Sequence, residues 1–353
     1  MTSSPNGTHA SPYPGVAAPQ GVNPTLVEVW RGGAIESVHR GAWVLTDGAG
    51  NTLEGAGDWE TPIFTRSSIK ALQALPLLTS GAAERFSFDH ADLALAVSSH
   101  NGEPCHTERA AAILGRVGLD VGDLRCGPQT PGDPATRRSL TESGDRPTAL
   151  HNNCSGKHSG FLALADHLGI EHRHYLAPDA EGQVLIRRAI AVMSDVDEAD
   201  LVPAIDGCSA PTYRLPLRNL ATAFARLTAP TGLDTQLAAH CRRLCDAVAQ
   251  HPELIAGTHK RLCTDLARVT AGRLFPKIGA EAVYVIGVRD ADRALAVKVD
   301  DGDRRGLHAL VLALIERLGL AGADELDALQ AWRPGPLKNY AGLDVGRIEV
   351  RLE

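Results

Sequence analysis

Apolar and polar positions alternate with a period of two from Thr25 onward. LVEVWRGG, AIESVHRG and AWVLTD each show this pattern, break at glycines and end in DGAGN at 47–51, which predicts an antiparallel meander. Ile69, Leu72 and Leu75 then fall at helical spacing, so a short helix is expected from Arg66, ended or kinked by Pro76 before Gly81. The apolar run ADLALAV reads as a strand that delivers Ser98 and Ser99 at its end. From about 105 to 275 the period changes to that of helices: HTERAAAILGRVG, HSGFLALADHLG, AEGQVLIRRAIAVM, RNLATAFARL and QLAAHCRRLCDAVA each carry an apolar stripe and stop near a Gly, Asp or Pro. Strand patterns return in EAVYVIGV, RALAVKVDDG and GRIEVRLE, with helices near 306–319 and 323–331 between them. Strands at both ends of a helical middle predict an α/β fold, with one mainly antiparallel sheet built from N- and C-terminal segments and a helical lobe inserted. Residues 1–24, dense in Pro, Gly and Ser, are expected to form a disordered tail. Residues 25–353 are expected to form a single two-lobed domain.

Composition narrows the function classes. The 35 basic and 42 acidic side chains give a net charge of −7, which argues against binding driven by nucleic-acid phosphates or anionic membranes. No window approaches the ~20 apolar residues of a membrane span, and the start carries no basic-then-apolar leader pattern, so a cytoplasmic location is expected. Seven cysteines, an odd number in such a chain, are expected to be thiols. Six of the 35 basic residues are lysines, so each lysine stands out against an arginine-based surface charge.

Three stretches carry candidate chemistry. Ser67-Ser68-Ile69-Lys70 places Ser67 and Lys70 on one helix face, where a desolvated neutral lysine could take the serine proton. Sixteen serines and six lysines give about 0.3 such spacings by chance, so the motif is weak alone. Lys277-Ile278-Gly279, before EAVYVIGV, would put a lysine at the sheet edge beside a glycine that permits close approach. S-x-x-K after N-terminal strands, then helices, then K-x-G is the layout of serine penicillin-recognising enzymes. The run His151-Asn152-Asn153-Cys154-Ser155-Gly156-Lys157-His158-Ser159-Gly160 crowds ligating groups before a helix, and Asp206-Gly207-Cys208-Ser209 could add a second thiolate. Cys154, Cys208 and either Lys157 or His158 would make a three-ligand metal site, and by spacing alone the imidazole is the commoner ligand. Ser98-Ser99-His100-Asn101-Gly102-Glu103 is a further candidate loop. Asp300-Asp301-Gly302-Asp303 imitates a cation loop but reads as a solvated turn, and Cys241 and Cys245, four apart on one helix face, read as core.

In this order, RSSIKALQALPL, SSHNGE, HNNCSGKHSGF, DGCSAPTY, CTDL and FPKIGAE resemble the Rhizobium etli-type L-asparaginase family over about 25–353. The resemblance implies a fold like serine β-lactamases and penicillin-binding proteins, a homodimer, and hydrolysis of L-asparagine to L-aspartate and ammonia. It also implies Ser67 as nucleophile with Lys70 as its base, a second pair Ser99 and Lys277, and zinc on Cys154, Lys157 and Cys208, in place of His158. His158 and Asp206 then become neighbours of the metal or the substrate, with Arg66 against the substrate carboxylate and Cys263 nearby. A penicillin-recognising serine hydrolase of DD-peptidase or β-lactamase type and a zinc-stabilised amino-acid-binding protein are the competing readings. Glutamine, one methylene longer, is separated from asparagine by only about 1–3 kcal/mol of discrimination.

Overall fold

The computed structural model describes residues 22–352, so the expected tail lies outside the described residues except for 22–24. Its centre is an eight-stranded sheet made of β1 (Thr25–Arg31), β2 (Ala34–Thr46), β3 (Thr52–Ala56), β4 (Leu274–Gly279), β5 (Val283–Val288), β6 (Arg293–Val299), β7 (Leu337–Lys338) and β8 (Asp344–Val350). The order is β7-β8-β1-β2-β6-β5-β4, with β3 also on β2, and every pairing is antiparallel. The sheet is therefore built from both ends of the chain, as the hydrophobic pattern predicts, and the order adds that the N-terminal strands sit in the middle with C-terminal strands flanking them. Helical elements make up most of the chain from Arg66 to Val269 between β3 and β4, interrupted by two-residue strands between Ala204 and Leu215.

Four local readings change. AIESVHRG and AWVLTD are one strand, because Gly41 stays in register opposite Val299 and the chain runs straight through it. ADLALAV is the helix His90–Ala96, not a strand: the Asp89 carboxylate accepts the Asp92 N–H at 2.8 Å while the Asp92 carboxylate accepts the Asp89 N–H at 3.2 Å, a reciprocal cap that nucleates the turn. The helix expected from Arg66 is a 3₁₀ turn, Arg66–Ile69, followed by short helices Lys70–Gln73 and Leu75–Thr79, and Pro76 sits in the first turn of the last one, where its missing N–H costs nothing. Lys277 lies within β4 rather than before the strand.

All six residues of β5 are buried, so both faces of the sheet are covered. The helices Leu217–Thr228 and Arg304–Arg317 pack on it, the former through an edge-on Phe224–Phe275 contact at 5.8 Å. Asp303 caps the Arg304–Arg317 helix, and Asp301 accepts from His39 at 2.6 Å, so the acidic turn at 300–303 is occupied structurally. Cys241 and Cys245 are buried in the core. No helix among the described residues is long and apolar enough to cross a membrane.

Candidate active site

Ser67 sits in the 3₁₀ turn that follows the small strand pair Ile63–Phe64 with Arg214–Leu215. Thr65 fixes the turn's entry by giving both its N–H (3.1 Å) and its hydroxyl (2.9 Å) to the Tyr213 carbonyl. Arg66 holds a left-handed backbone, φ +49°, which a non-glycine residue adopts only under constraint from its surroundings. The constraint is visible: Arg66 Nε pairs with the Asp206 carboxylate at 2.6 Å. Strand β4 comes up beside this turn, and a Cβ at Gly279 would stand 2.8 Å from the Thr65 carbonyl oxygen and 3.3 Å from the Ser68 nitrogen. The glycine of K-x-G thus lets the strand that carries Lys277 approach the turn that carries Ser67.

Ser99 arrives from the C-terminal end of the His90–Ala96 helix. Its N–H bonds the Ile255 carbonyl at 2.9 Å, its carbonyl accepts from Arg261 Nη2 at 2.6 Å, and its Oγ lies 2.8 Å from Lys277 Nζ. Lys277 Nζ also reaches the Ile278 carbonyl at 3.0 Å. Lys70 Nζ is held by the carbonyl oxygens of Ser98 and, at 3.3 Å, Asn153, rather than by Ser67 Oγ. Both lysines are fully buried, at 0% and 1% exposure. Burial, and for Lys277 the neighbouring Lys70, pushes Lys277 well below the ordinary lysine range; burial likewise pulls Lys70 down, reinforced by Lys157 and opposed by Cys154. A neutral amine has two N–H groups and one lone pair. Lys70 Nζ also hydrogen-bonds Cys154, so its lone pair reaches a hydroxyl only when that contact is given up, whereas a neutral Lys277 can give one N–H to Ile278 and accept from Ser99.

The third group lies at the start of the Ser155–His167 helix. Lys157 Nζ is 3.1 Å from Cys208 Sγ, and Cys154 and Cys208 are in hydrogen-bond contact through their sulfurs. Hydrogen bonding between them holds the Cys154 thiol well below its ordinary value and, with burial, pushes Cys208 up, and Cys154 Sγ also lies 2.9 Å from Asn153 Oδ1. Burial pulls Lys157 down, but Cys208, Cys154 and Asp206 together hold it above the usual lysine value. Two soft sulfurs and an amine converging in a buried site fit a zinc ion, provided the cation displaces the protons on the sulfurs and on Lys157. His158, the spacing choice for this role, points instead to the Tyr175 hydroxyl at 2.6 Å, and its Nε2 is buried without a partner among the described residues. Burial, then Lys157 and Lys70, keeps this imidazole neutral by lowering it well below its ordinary value.

Asp206 accepts from Arg66 and, at 2.8 Å, from the Gly207 N–H. Burial would raise its carboxyl, but Lys157 and Arg66 outweigh that and lower it. Arg66 is therefore already paired, where the resemblance implies a group for the substrate carboxylate. Cys263 gives its thiol to Tyr284 Oη at 3.3 Å and lies close enough to influence Lys277.

The family model for L-asparaginase II matches residues 27–350. The chain belongs to that family. No curated protein matches. Among solved structures, native Mglu in 4.3 M NaCl is similar at 18% identity and a TM-score of 0.38, over 80% of this chain and 63% of that one. A β-lactamase from Mycobacterium bovis is similar at 14% identity and a TM-score of 0.41, over 78% and 94%. This asparaginase-family chain thus spans under two thirds of Mglu's length, and likenesses of this strength carry no argument about substrate.

Four residues contribute contacts that the sequence patterns do not signal. The carbonyls of Ser98 and Asn153 hold Lys70, and Arg261 anchors Ser99 and Asn101 from the start of the Leu262–Val269 helix. Tyr175 orients His158.

Proposed function

We propose that this protein hydrolyses L-asparagine to L-aspartate and ammonia through a serine ester, with Ser67 as nucleophile and zinc held by Cys154, Lys157 and Cys208. The observation that carries the serine-ester chemistry, whichever serine attacks, is the buried Lys277–Ser99 contact of 2.8 Å beside a second desolvated lysine, Lys70. Ser67 Oγ attacks the side-chain amide carbon while its proton passes to the Lys70 lone pair. The tetrahedral adduct collapses, the C–N bond breaks, and the proton from Lys70 leaves with ammonia. Lys277, through Ser99, then takes a proton from the water that adds to the ester carbon and gives it to the Ser67 oxygen as the ester C–O bond breaks, which returns both groups and completes the addition of one water per amide cleaved. When bound, zinc supplies positive charge that orients the substrate's polar groups rather than a hydroxide, since serine is already the nucleophile. The reading includes a homodimer, checked by light scattering.

A second assignment exchanges the serines, with Ser99 attacking and Lys277 as its base; the direct Ser99–Lys277 hydrogen bond favours it. Rapid-quench intact-mass analysis of wild type, Ser67→Ala and Ser99→Ala with L-asparagine separates the two. Under the main reading the aspartyl adduct is absent in Ser67→Ala and persists longer in Ser99→Ala; the opposite pattern assigns the nucleophile to Ser99. Wild-type protein that binds asparagine and releases no ammonia overturns both.

A further inference from the structure

Beyond this site, Glu103, Cys105 and His106 bring a carboxylate oxygen, a sulfur and a ring nitrogen within 4.8 Å of one another. They stand at the start of the Pro104–Val117 helix, with Glu103 as its N-cap residue. Cys105 Sγ and His106 Nδ1 are 3.6 Å apart. Zinc–sulfur and zinc–nitrogen bonds of about 2.3 and 2.0 Å at a tetrahedral angle give an edge of about 3.5 Å, so the spacing already suits a shared ion.

Each donor is also held from behind, as metal ligands usually are. His106 Nε2 faces the Glu253 carbonyl at 3.2 Å, and donating there leaves the Nδ1 lone pair toward the sulfur. The ring is stacked on His100 with centroids 4.6 Å apart. Glu103 accepts the Thr258 N–H at 2.9 Å on one oxygen and its hydroxyl at 2.8 Å on the other, and each oxygen keeps a lone pair. Cys105 opens on a surface cleft of about 570 Å³ also lined by Glu108 and His251, through which ions and water reach it. A sulfur, an imidazole and a carboxylate together select zinc over magnesium or calcium. The helix N-terminus opposes a cation here, so binding is weaker than at the closed Cys154, Lys157 and Cys208 set.

We propose that Glu103, Cys105 and His106 form a second zinc site, distinct from Cys154, Lys157 and Cys208, with its fourth position open to the cleft.

Cys105 is exposed and the other six cysteines are buried, which makes the test direct. The full-length protein is treated with a chromogenic disulfide reagent, with and without added Zn²⁺, Mg²⁺ or chelator. One thiol should react fast, Zn²⁺ should slow it at least tenfold, Mg²⁺ should not, and Cys105→Ser should abolish the fast phase and bind one zinc equivalent fewer. Glu103→Gln and His106→Asn should keep the fast thiol but lose most of the protection. A Cys105 rate indifferent to Zn²⁺, or equal protection in both of these variants, overturns the site. None of these readouts depends on asparagine turnover.

Discussion

Gly156 is the residue where packing and catalysis meet most tightly. It lies one residue before Lys157 and two after Cys154, on the helix that faces the end of His90–Ala96, from which Ser98 and Ser99 emerge. A methyl group there would stand 2.5 Å from Leu95 Cγ and closer still to the Leu95 carbonyl oxygen. Since ordinary contact begins near 3.4 Å and the Leu95 oxygen would stand at 2.3 Å, Gly156→Ala must separate the two helices by 3.4 − 2.3, or about 1.1 Å. Overpacking of this kind costs about 1–3 kcal/mol, and replacing a helical glycine with alanine returns up to ~1 kcal/mol, so the variant should fold with a modest loss of stability. Its catalytic effect should be larger. A misplacement of about 1 Å at a reacting group costs on the order of 10²-fold, or about 2.7 kcal/mol of barrier.

Gly160 is the control, one turn further along the same helix. A Cβ there meets Ala96 Cβ and Leu77 Cδ2 at 3.6 Å each, which is ordinary contact. Gly160→Ala should therefore be neutral or more stable by up to ~1 kcal/mol, with unchanged turnover. The assay is ammonia release from L-asparagine at a temperature well below both melting points, with zinc content and circular dichroism measured on the same samples. Gly156→Ala with kcat/KM within threefold of wild type, or a Gly160→Ala that loses as much activity as Gly156→Ala, would refute the argument that this helix contact sets the site.

Other perturbations test separate parts of the structure. Lys277→Met should abolish turnover and yet leave the fold as stable as wild type or more so. With the folded-state value of Lys277 depressed by burial, the unfolded chain binds the extra proton, so wild-type stability rises with pH toward the unfolded value of about 10.5; the melting-point gap between variant and wild type should narrow between pH 7 and 10, and a gap that widens contradicts the buried-neutral assignment. Cys208→Ala should lose the zinc proposed at Cys154, Lys157 and Cys208 and lower the melting temperature, whereas unchanged zinc binding at this site by metal analysis removes Cys208 from the ligand set. Asp234 accepts the N–H groups of Gln236 and Leu237 at 3.0 and 2.9 Å at the start of Thr235–Gln250. Asp234→Ala should cost about 1 kcal/mol in denaturant unfolding at constant kcat, and a change in kcat would tie this surface cap to the site.

What the chain's pattern discloses depends on whether a feature is periodic. Helices such as Leu217–Thr228 and Thr235–Gln250, and strands β5 and β6, carry an apolar period or a long buried run, and they are legible. His90–Ala96 is not, because six of its seven residues are buried and an apolar run without a polar face looks alike in helix and strand. The discriminating signal was the pair Asp89 and Asp92, whose reciprocal caps favour only the helix. In the site, residue type marks the side chains: rare lysines, clustered thiols and serines before helices can be singled out. Their partners are another matter, because Ser99 and Lys277 are 178 residues apart and Lys157 and Cys208 are 51 apart, and no spacing rule joins them. Least visible are the groups that hold Lys70. The Ser98 and Asn153 oxygens that receive it belong to the backbone, and a carbonyl is present whatever side chain occupies the position. The position of the proposed base is thus set by backbone placement, through the Asp89 cap, the Leu95–Gly156 contact and the Arg261 anchor, so substitutions at those three places should alter the chemistry without touching any reacting side chain.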